Sequence, residues 1–121
     1  MIEVNKNIEK IINSSLTNSI INTKINFDQL FIDTSINNLS SVILFLKTNN
    51  KCKFRQLIDI TAVDFLGKEK RFKLVYLLLS HENNSRIVIN VDIEEKIKVP
   101  SITKIFPSAN WMEREVFDMY G

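Results

Sequence analysis

The residues that could do chemistry in this chain are few, and the densest group lies near its end. Glu113, Glu115 and Asp118 fall within six residues of one another, while a single histidine, His81, and a single cysteine, Cys52, lie elsewhere. Carboxylates can act as general acids or bases when they stand in a cleft. On a helix, however, Glu113 and Glu115 project about 200° apart, so these two cannot form a paired-carboxylate site.

The histidine and the cysteine do not complete a catalytic or metal-binding set. His81 opens a polar stretch, His81–Ser85, that is typical of a solvent-exposed turn, and a general base needs partners that this stretch does not offer. Lysines beside Cys52 could lower its pKa, but a lone thiol cannot form an internal disulfide or an iron–sulfur site. Two glycines in the whole chain exclude a glycine-rich phosphate loop. We therefore expect no intrinsic active site and no cofactor bound by this chain.

The acidic group belongs to a segment whose spacing predicts a helix from Ala109 to Tyr120, closed by Gly121. Wound at about 100° per residue, this segment gathers an apolar stripe on one side. The stripe consists of Ala109, Met112, Val116, Met119 and Tyr120. Glu113 faces into the apolar arc, whereas Trp111 faces outward beside Arg114, Glu115 and Asp118. Both placements are costly in an isolated domain, so we expect another molecule to cover this helix.

The sequence leaves the role of Glu113 open between three interpretations. Its carboxylate could reach solvent or pair with a lysine or arginine at the edge of the core. It could instead form a buried pair across a subunit boundary, or act in acid–base catalysis. For Trp111, an interface anchor is favoured over a chance exposed indole.

The composition is that of one globular domain, residues 1–121. Hydrophobic residues make up 45% and charged residues 25% of the chain, and the formal net charge is only +2. So small a charge does not imply a nucleic acid or an anionic membrane as partner. No apolar run approaches the roughly 20 residues of a membrane helix, and the N-terminus lacks the apolar region of a signal peptide. The bias towards isoleucine, asparagine and lysine is typical of an AT-rich genome, as in many mitochondria.

Hydrophobic periodicity predicts the elements that must position these residues. An amphipathic helix is expected over residues 1–13, a second helix over 36–47 after an N-cap at Thr34 or Ser35, and the final helix after an N-cap at Ser108. Strands are expected at Ile20–Asn26, where Ile21, Thr23 and Ile25 form the buried side, and at Leu30–Asp33, Leu57–Phe65, Phe72–Ser80 and Ile87–Glu94. The last two strands should form an antiparallel hairpin, and Ser101–Phe106 one or two helical turns. The order α-β-β-α-β-β-β-α indicates an α+β domain with a mainly antiparallel sheet, and a mixed sheet remains open.

The final segment also resembles a known signature. The run Asn110-Trp111-hydrophobic, Glu113-Arg114-Glu115, two hydrophobic residues, Asp118, hydrophobic, Tyr120-Gly121 is similar to that of one component of respiratory complex I. This is the C subunit of bacterial NADH–quinone oxidoreductase, called the 30-kDa subunit or NADH dehydrogenase subunit 9 in mitochondria. Upstream segments also match it: Leu57–Asp64, Arg71–Ser80, Pro100–Thr103 and Phe106-Pro107. The resemblance covers roughly Phe54–Gly121.

The resemblance implies a non-catalytic core subunit of the peripheral arm of proton-pumping NADH:ubiquinone oxidoreductase. Family members bind no flavin, iron–sulfur cluster or quinone themselves, since partner subunits hold the flavin and the clusters. They pack against the large, 49-kDa-type subunit that forms the quinone cavity. The expected location is the matrix side of the mitochondrial inner membrane or, alternatively, the cytoplasmic face of a bacterial inner membrane. The implied interface residues are Asn110, Trp111, Glu113, Arg114, Glu115, Asp118, Tyr120 and Gly121, with Glu113 as a fixing salt-bridge partner.

One departure from the family and two other functions complete the expectations. Family chains usually continue past this glycine into an extended basic segment, so we expect a split gene, with a separate polypeptide supplying that segment.

Two other functions remain as alternatives. A free-standing enzyme would use Glu113 or Asp118 as an acid–base group, and this alternative predicts a pocket around them in a stable monomer. A nucleic-acid-binding domain would use Lys51, Lys53 and Arg55 and predicts salt-dependent binding, but the strands offer no exposed aromatic platform.

Overall fold

The structure is a computed structural model that describes residues 2–26, 29–65, 72–94 and 99–120. Its elements follow the predicted order. They are α1 (Ile2–Ser15), β1 (Ile20–Asn26), β2 (Gln29–Thr34), a 3-10 turn (Ile36–Asn38), α2 (Leu39–Thr48), β3 (Gln56–Asp64), β4 (Phe72–Ser80), β5 (Ser85–Ile93) and α3 (Ala109–Tyr120). The predicted α+β class is confirmed. Residues 66–71, which connect the predicted strands Leu57–Phe65 and Phe72–Ser80, lie outside the described residues, as does the closing Gly121.

The five strands form one mixed sheet in the order β1-β2-β5-β4-β3. Three neighbouring pairs are antiparallel, and β2 pairs with β5 in parallel. The predicted hairpin of β4 and β5 is confirmed, with Ser80 opposite Ser85. Asn84 adopts a positive φ of 49° in the connecting turn, a conformation that asparagine tolerates better than most residues. The sheet is therefore mainly antiparallel, as predicted. The parallel pair of β2 and β5 makes it a mixed sheet, which the sequence had left open.

A single hydrophobic core lies between the helices and one face of the sheet. Along β4, Leu74, Tyr76 and Leu78 are buried, while Val75 and Leu77 on the opposite face are only half-buried. The helices complete this core with side chains at three- and four-residue spacing, as amphipathic helices do. They contribute Ile8 and Ile12 from α1, Val42, Ile43 and Leu46 from α2, and Ala109 and Val116 from α3. Because α3 packs beside β3, its inner side is fixed against the edge of the sheet.

One local expectation, the burial of Ile21, was wrong, and two others were met in part. Ile21 is 71% exposed, because the register shifts between Ile20 and Asn22 and this irregularity turns its side chain outward. Ser35 occupies the predicted N-cap position before the 3-10 turn, but its hydroxyl makes no capping hydrogen bond and instead accepts one from the Asn38 side-chain amide. The Thr34 hydroxyl donates to the Ser19 carbonyl. The segment 101–106 forms one hydrogen-bonded turn, the shorter of the two predicted possibilities.

Candidate functional site

The described part of α3 has the two faces that its sequence predicts. Ala109 and Val116 are buried and Met112 is half-buried, which confirms the inner stripe as far as it is described. On the outer side Trp111 is 67% exposed, and Asn110, Arg114 and Glu115 are exposed as well. The side chains of Asp118 and Tyr120, like Gly121, lie outside the described residues, so their interface roles stay predictions.

Glu113 faces inward and is only 5% exposed. One carboxylate oxygen, Oε1, accepts a hydrogen bond of 2.8 Å from the Ser101 hydroxyl, and the other, Oε2, accepts one of 2.9 Å from the Ile102 backbone N–H. Hydrogen bonds to a carboxylate are short and stronger than neutral ones, which offsets the cost of burying the charge. Among the described residues, Glu113 thus accepts hydrogen bonds from two uncharged donors of its own chain, and its role as a salt-bridge partner stays a prediction. Its sequence pattern indicated burial but gave no sign of these donors, so Ser101 was missed.

The charge of Glu113 affects the pKa of a nearby side chain, the Tyr76 phenol. Tyr76 is fully buried in β4. Burial, and then the negative charge of Glu113, raise the pKa of the Tyr76 phenol well above its usual range. The phenol therefore stays protonated across physiological pH and belongs to the core.

The cysteine and the histidine lie outside α3, one in the core and the other at the surface. Cys52 is completely buried, and burial raises its thiol pKa to about 11. Desolvation thus outweighs any effect of the neighbouring lysines, and the thiolate needed for nucleophilic attack is scarce. His81 is exposed in the β4–β5 turn, where its Nε2 contacts the Gln56 side-chain oxygen. Neither residue lies on α3.

The basic stretch before β3 is partly neutralised. Arg55 forms an exposed ion pair of 2.7 Å with Glu82. A hydrogen bond to its own backbone, and to a smaller degree the charge of Arg55, hold the pKa of the Glu82 carboxyl below its usual value. The Asn83 amide donates to the carbonyl oxygens of Lys51 and Cys52, which fixes this loop against the β4–β5 turn. Hydrogen bonds therefore hold this loop in place, and Arg55, one of the three residues of the nucleic-acid alternative, already pairs with a carboxylate.

Three clefts formed by described residues lie away from the acidic group of α3. One cleft of about 370 Å³ lies at the end of the sheet, and two smaller ones lie beside β1 and beside α1. None of these three is lined by a residue of α3. Within the described ranges, no group of three or more histidine, cysteine or acidic residues could hold a metal ion, and no helix is long and apolar enough to cross a membrane.

Comparison with protein families and with individual proteins gives one consistent result. Residues 32–121 match the family model of the respiratory-chain NADH dehydrogenase 30-kDa subunit. The NADH-quinone oxidoreductase C subunit of Ruegeria pomeroyi is 47% identical over 102 residues, which cover 84% of this chain and 51% of that protein. The corresponding protein of Ruegeria sp. strain TM1040 is 40% identical over 121 residues, which cover 100% of this chain and 60% of that protein. The chain thus spans about half the length of the curated relatives it matches.

A solved structure shares the fold. One chain of the membrane-bound sulfane sulfur reductase, an archaeal respiratory membrane complex, superposes with a TM-score of 0.80 at 24% sequence identity. The match covers 96% of this chain and 66% of that one. At this identity the similarity extends to the fold alone, and it supports the mixed sheet and the order of the helices around it.

Proposed function

Because this chain belongs to the respiratory-chain NADH dehydrogenase 30-kDa subunit family, we propose that it is a non-catalytic core subunit of the peripheral arm of proton-pumping NADH:quinone oxidoreductase. In this role it docks against the large subunit that forms the quinone site and supports assembly of the electron-transfer arm. Flavin and iron–sulfur clusters belong to partner subunits. The observation that carries the proposal is the exposure of Trp111 on α3, inside the segment that the family model matches.

The outer face of α3 has the chemistry of a docking surface. Trp111 offers a large apolar area, and Arg114 and Glu115 beside it are exposed and charged. Tryptophan and arginine are the residue types that most often dominate binding energy, and a polar rim around an aromatic anchor is the usual anatomy of an interface. We therefore assign Trp111 as the anchor and Asn110, Arg114 and Glu115 as rim residues.

The same helix gives little support to acid–base catalysis. Both oxygens of Glu113 already accept hydrogen bonds inside the chain, and its side chain is 5% exposed. A general acid or base must reach the proton that it transfers, within about 3 Å or through one water. Glu113 is therefore a structural residue in this proposal, and turnover belongs to the assembled complex.

The proposed location is the membrane face on which the peripheral arm of the complex stands. The curated relatives compared with this chain are bacterial, which fits the cytoplasmic face of a bacterial membrane. The bias towards isoleucine, asparagine and lysine, which is typical of an AT-rich genome, fits the matrix face of the mitochondrial inner membrane. Both locations place the chain in the same position relative to the quinone-site subunit.

The proposal is tested by isolating the complex that contains this chain. Native gel electrophoresis should show the chain in a band with NADH dehydrogenase activity, and mass spectrometry of that band should identify the large quinone-site subunit. Trp111→Ala should reduce the amount of assembled complex while each assembled complex keeps its redox centres. A chain that migrates alone, or complexes that assemble normally but have lost turnover, would contradict this role.

A further inference from the structure

The segment that precedes α3 is folded into a compact turn joined directly to the helix. We call Ser101–Phe106 the 101–106 turn. The backbone N–H groups of Ile105 and Phe106 both donate to the Ile102 carbonyl, at 3.0 and 2.9 Å. The N–H of Ala109, the first residue of α3, donates to the Phe106 carbonyl at 2.9 Å. Ile102 and Phe106 are buried, so the turn is packed into the core.

Two charged side chains hold this turn from opposite elements. Glu113 reaches back from α3 and accepts hydrogen bonds at the start of the turn, from Ser101 and Ile102. Lys47 reaches from α2 and donates to the Ile105 carbonyl at 2.5 Å, with its Nζ 5.2 Å from the centre of the Phe106 ring. Charge-assisted hydrogen bonds and cation–π contacts are strongest where water is displaced. The turn therefore connects α3 to α2 by polar contacts at both ends.

This arrangement places an anchor directly behind the docking surface. Trp111 and Glu113 are two positions apart in the sequence, so their side chains project from opposite sides of α3, about 200° apart. The 67% exposure of Trp111 and the 5% exposure of Glu113 agree with that geometry. Because a helix turns as a rigid body over so short a distance, fixing Glu113 also fixes the direction of Trp111.

From this geometry we propose that Glu113 is a positioning residue, which sets the orientation of α3 in the free chain so that Trp111 is presented ready for docking. The inference rests on the proposed docking function and adds a role for a residue that does not itself reach the interface. A surface that is ordered before binding does not have to be ordered during binding, so affinity is gained without a new contact. Removing the Glu113 contacts should weaken docking although Trp111 is untouched.

The test uses the whole chain in two measurements. Hydrogen exchange of the isolated chain reports the Ile102 amide, which Glu113 protects. Co-expression of a tagged variant with untagged wild type, followed by mass spectrometry of the purified complex, gives their ratio and hence their relative affinity. Glu113→Ala should speed exchange at Ile102 and lower incorporation by about tenfold or more. Glu113→Gln should keep most of the protection at Ile102 and most of the incorporation. Its amide oxygen can accept from the Ile102 N–H, and its amide nitrogen can donate to the Ser101 hydroxyl.

Two controls separate positioning from simple destabilisation and from failure of the proposed function. Val91→Ala removes buried volume in β5, outside both the 101–106 turn and α3, and should leave incorporation of the folded chain unchanged. Trp111→Ala should lower incorporation without changing exchange at Ile102. If Glu113→Ala does not fold, Lys47→Met, which removes the polar contact to the Ile105 carbonyl at the other end of the turn, should lower incorporation in the same direction.

Several outcomes would overturn the inference. Wild-type incorporation of Glu113→Ala, unchanged exchange at Ile102, or an equal loss of incorporation in Val91→Ala would remove the positioning role and leave docking intact. Failure of the wild-type chain to enter any complex with the quinone-site subunit would overturn both the docking function and this inference.

Discussion

Replacing Trp111 by alanine should weaken subunit association strongly and folding hardly at all. The side chain is 67% exposed in the chain, and substitutions at exposed positions usually change the free energy of unfolding by less than about 0.5 kcal/mol. An interface anchor behaves differently, because its cost appears only when the partner is present. The ratio of these two effects is what distinguishes a docking residue from a core residue.

The magnitude follows from the area that Trp111 leaves in water. A tryptophan presents about 200 Å² of buriable surface, so its exposed 67% corresponds to about 130 Å². At about 25 cal/mol per Å² this area represents about 3 kcal/mol on complete burial. Imperfect coverage and the ordering of the side chain reduce that figure, so we expect a loss of about 2 kcal/mol, or about 30-fold in affinity.

The assay is incorporation against co-expressed wild type, combined with thermal unfolding of the isolated chains. Ile21→Ala is the matched control, because Ile21 is 71% exposed on β1 and lies before the segment that the family model matches. Both variants should unfold within about 2–3 °C of wild type, and only Trp111→Ala should be excluded from the complex. Equal incorporation of the two variants, or a large fall in the melting temperature of Trp111→Ala, would refute the reasoning.

Three further predictions concern folding. Glu113→Ala leaves the buried Ile102 amide without its acceptor, so it should cost about 2 kcal/mol of unfolding free energy in urea titrations, and a loss below about 0.5 kcal/mol would contradict this. Arg55→Ala breaks an exposed ion pair that solvent screens, so the urea midpoint of unfolding should stay nearly unchanged, and a clear fall in that midpoint would count against this description. The pKa of Cys52 rises from its usual 9.0 to about 11, so the folded chain retains a proton that the unfolded chain loses. The contribution of the buried thiol to the free energy of unfolding should therefore be fully present below pH 9 and be lost from pH 9 to 11. Cys52→Ala should remove that part of the loss of stability at high pH.

The sequence predicted the elements well wherever its apolar pattern was unbroken. β1, β4 and α3 have the predicted bounds, because the alternation in β1, the near-continuous apolar run in β4 and the helical spacing in α3 are carried by the residues themselves. The parallel pairing of β2 with β5 was left open, since strand order depends on which surfaces meet after the chain has crossed α2, β3 and β4. Ile21 was misplaced for a related reason, because the irregularity beside it exists only in the pairing of β1 with β2.

The candidate site was predictable in its faces and not in its partners. The outward direction of Trp111 and the inward direction of Glu113 follow from their spacing on one helix. The donors to Glu113 do not, because Ser101 and Ile102 lie 12 and 11 residues away in a turn with no regular pattern. A buried carboxylate in a sequence signals that donors exist, and only the folded chain identifies them.

The central claim, that this chain docks through the outer face of α3, is tested most directly at its single tryptophan. Hydroxyl-radical footprinting, read by mass spectrometry, gives the oxidation rate of Trp111 in the isolated chain and in the purified complex. Docking through α3 predicts rapid oxidation in the free chain and protection by about tenfold or more in the complex, with Ile21 as the reference. Equal oxidation of Trp111 in both samples would show that this face remains in solvent and would contradict the claim.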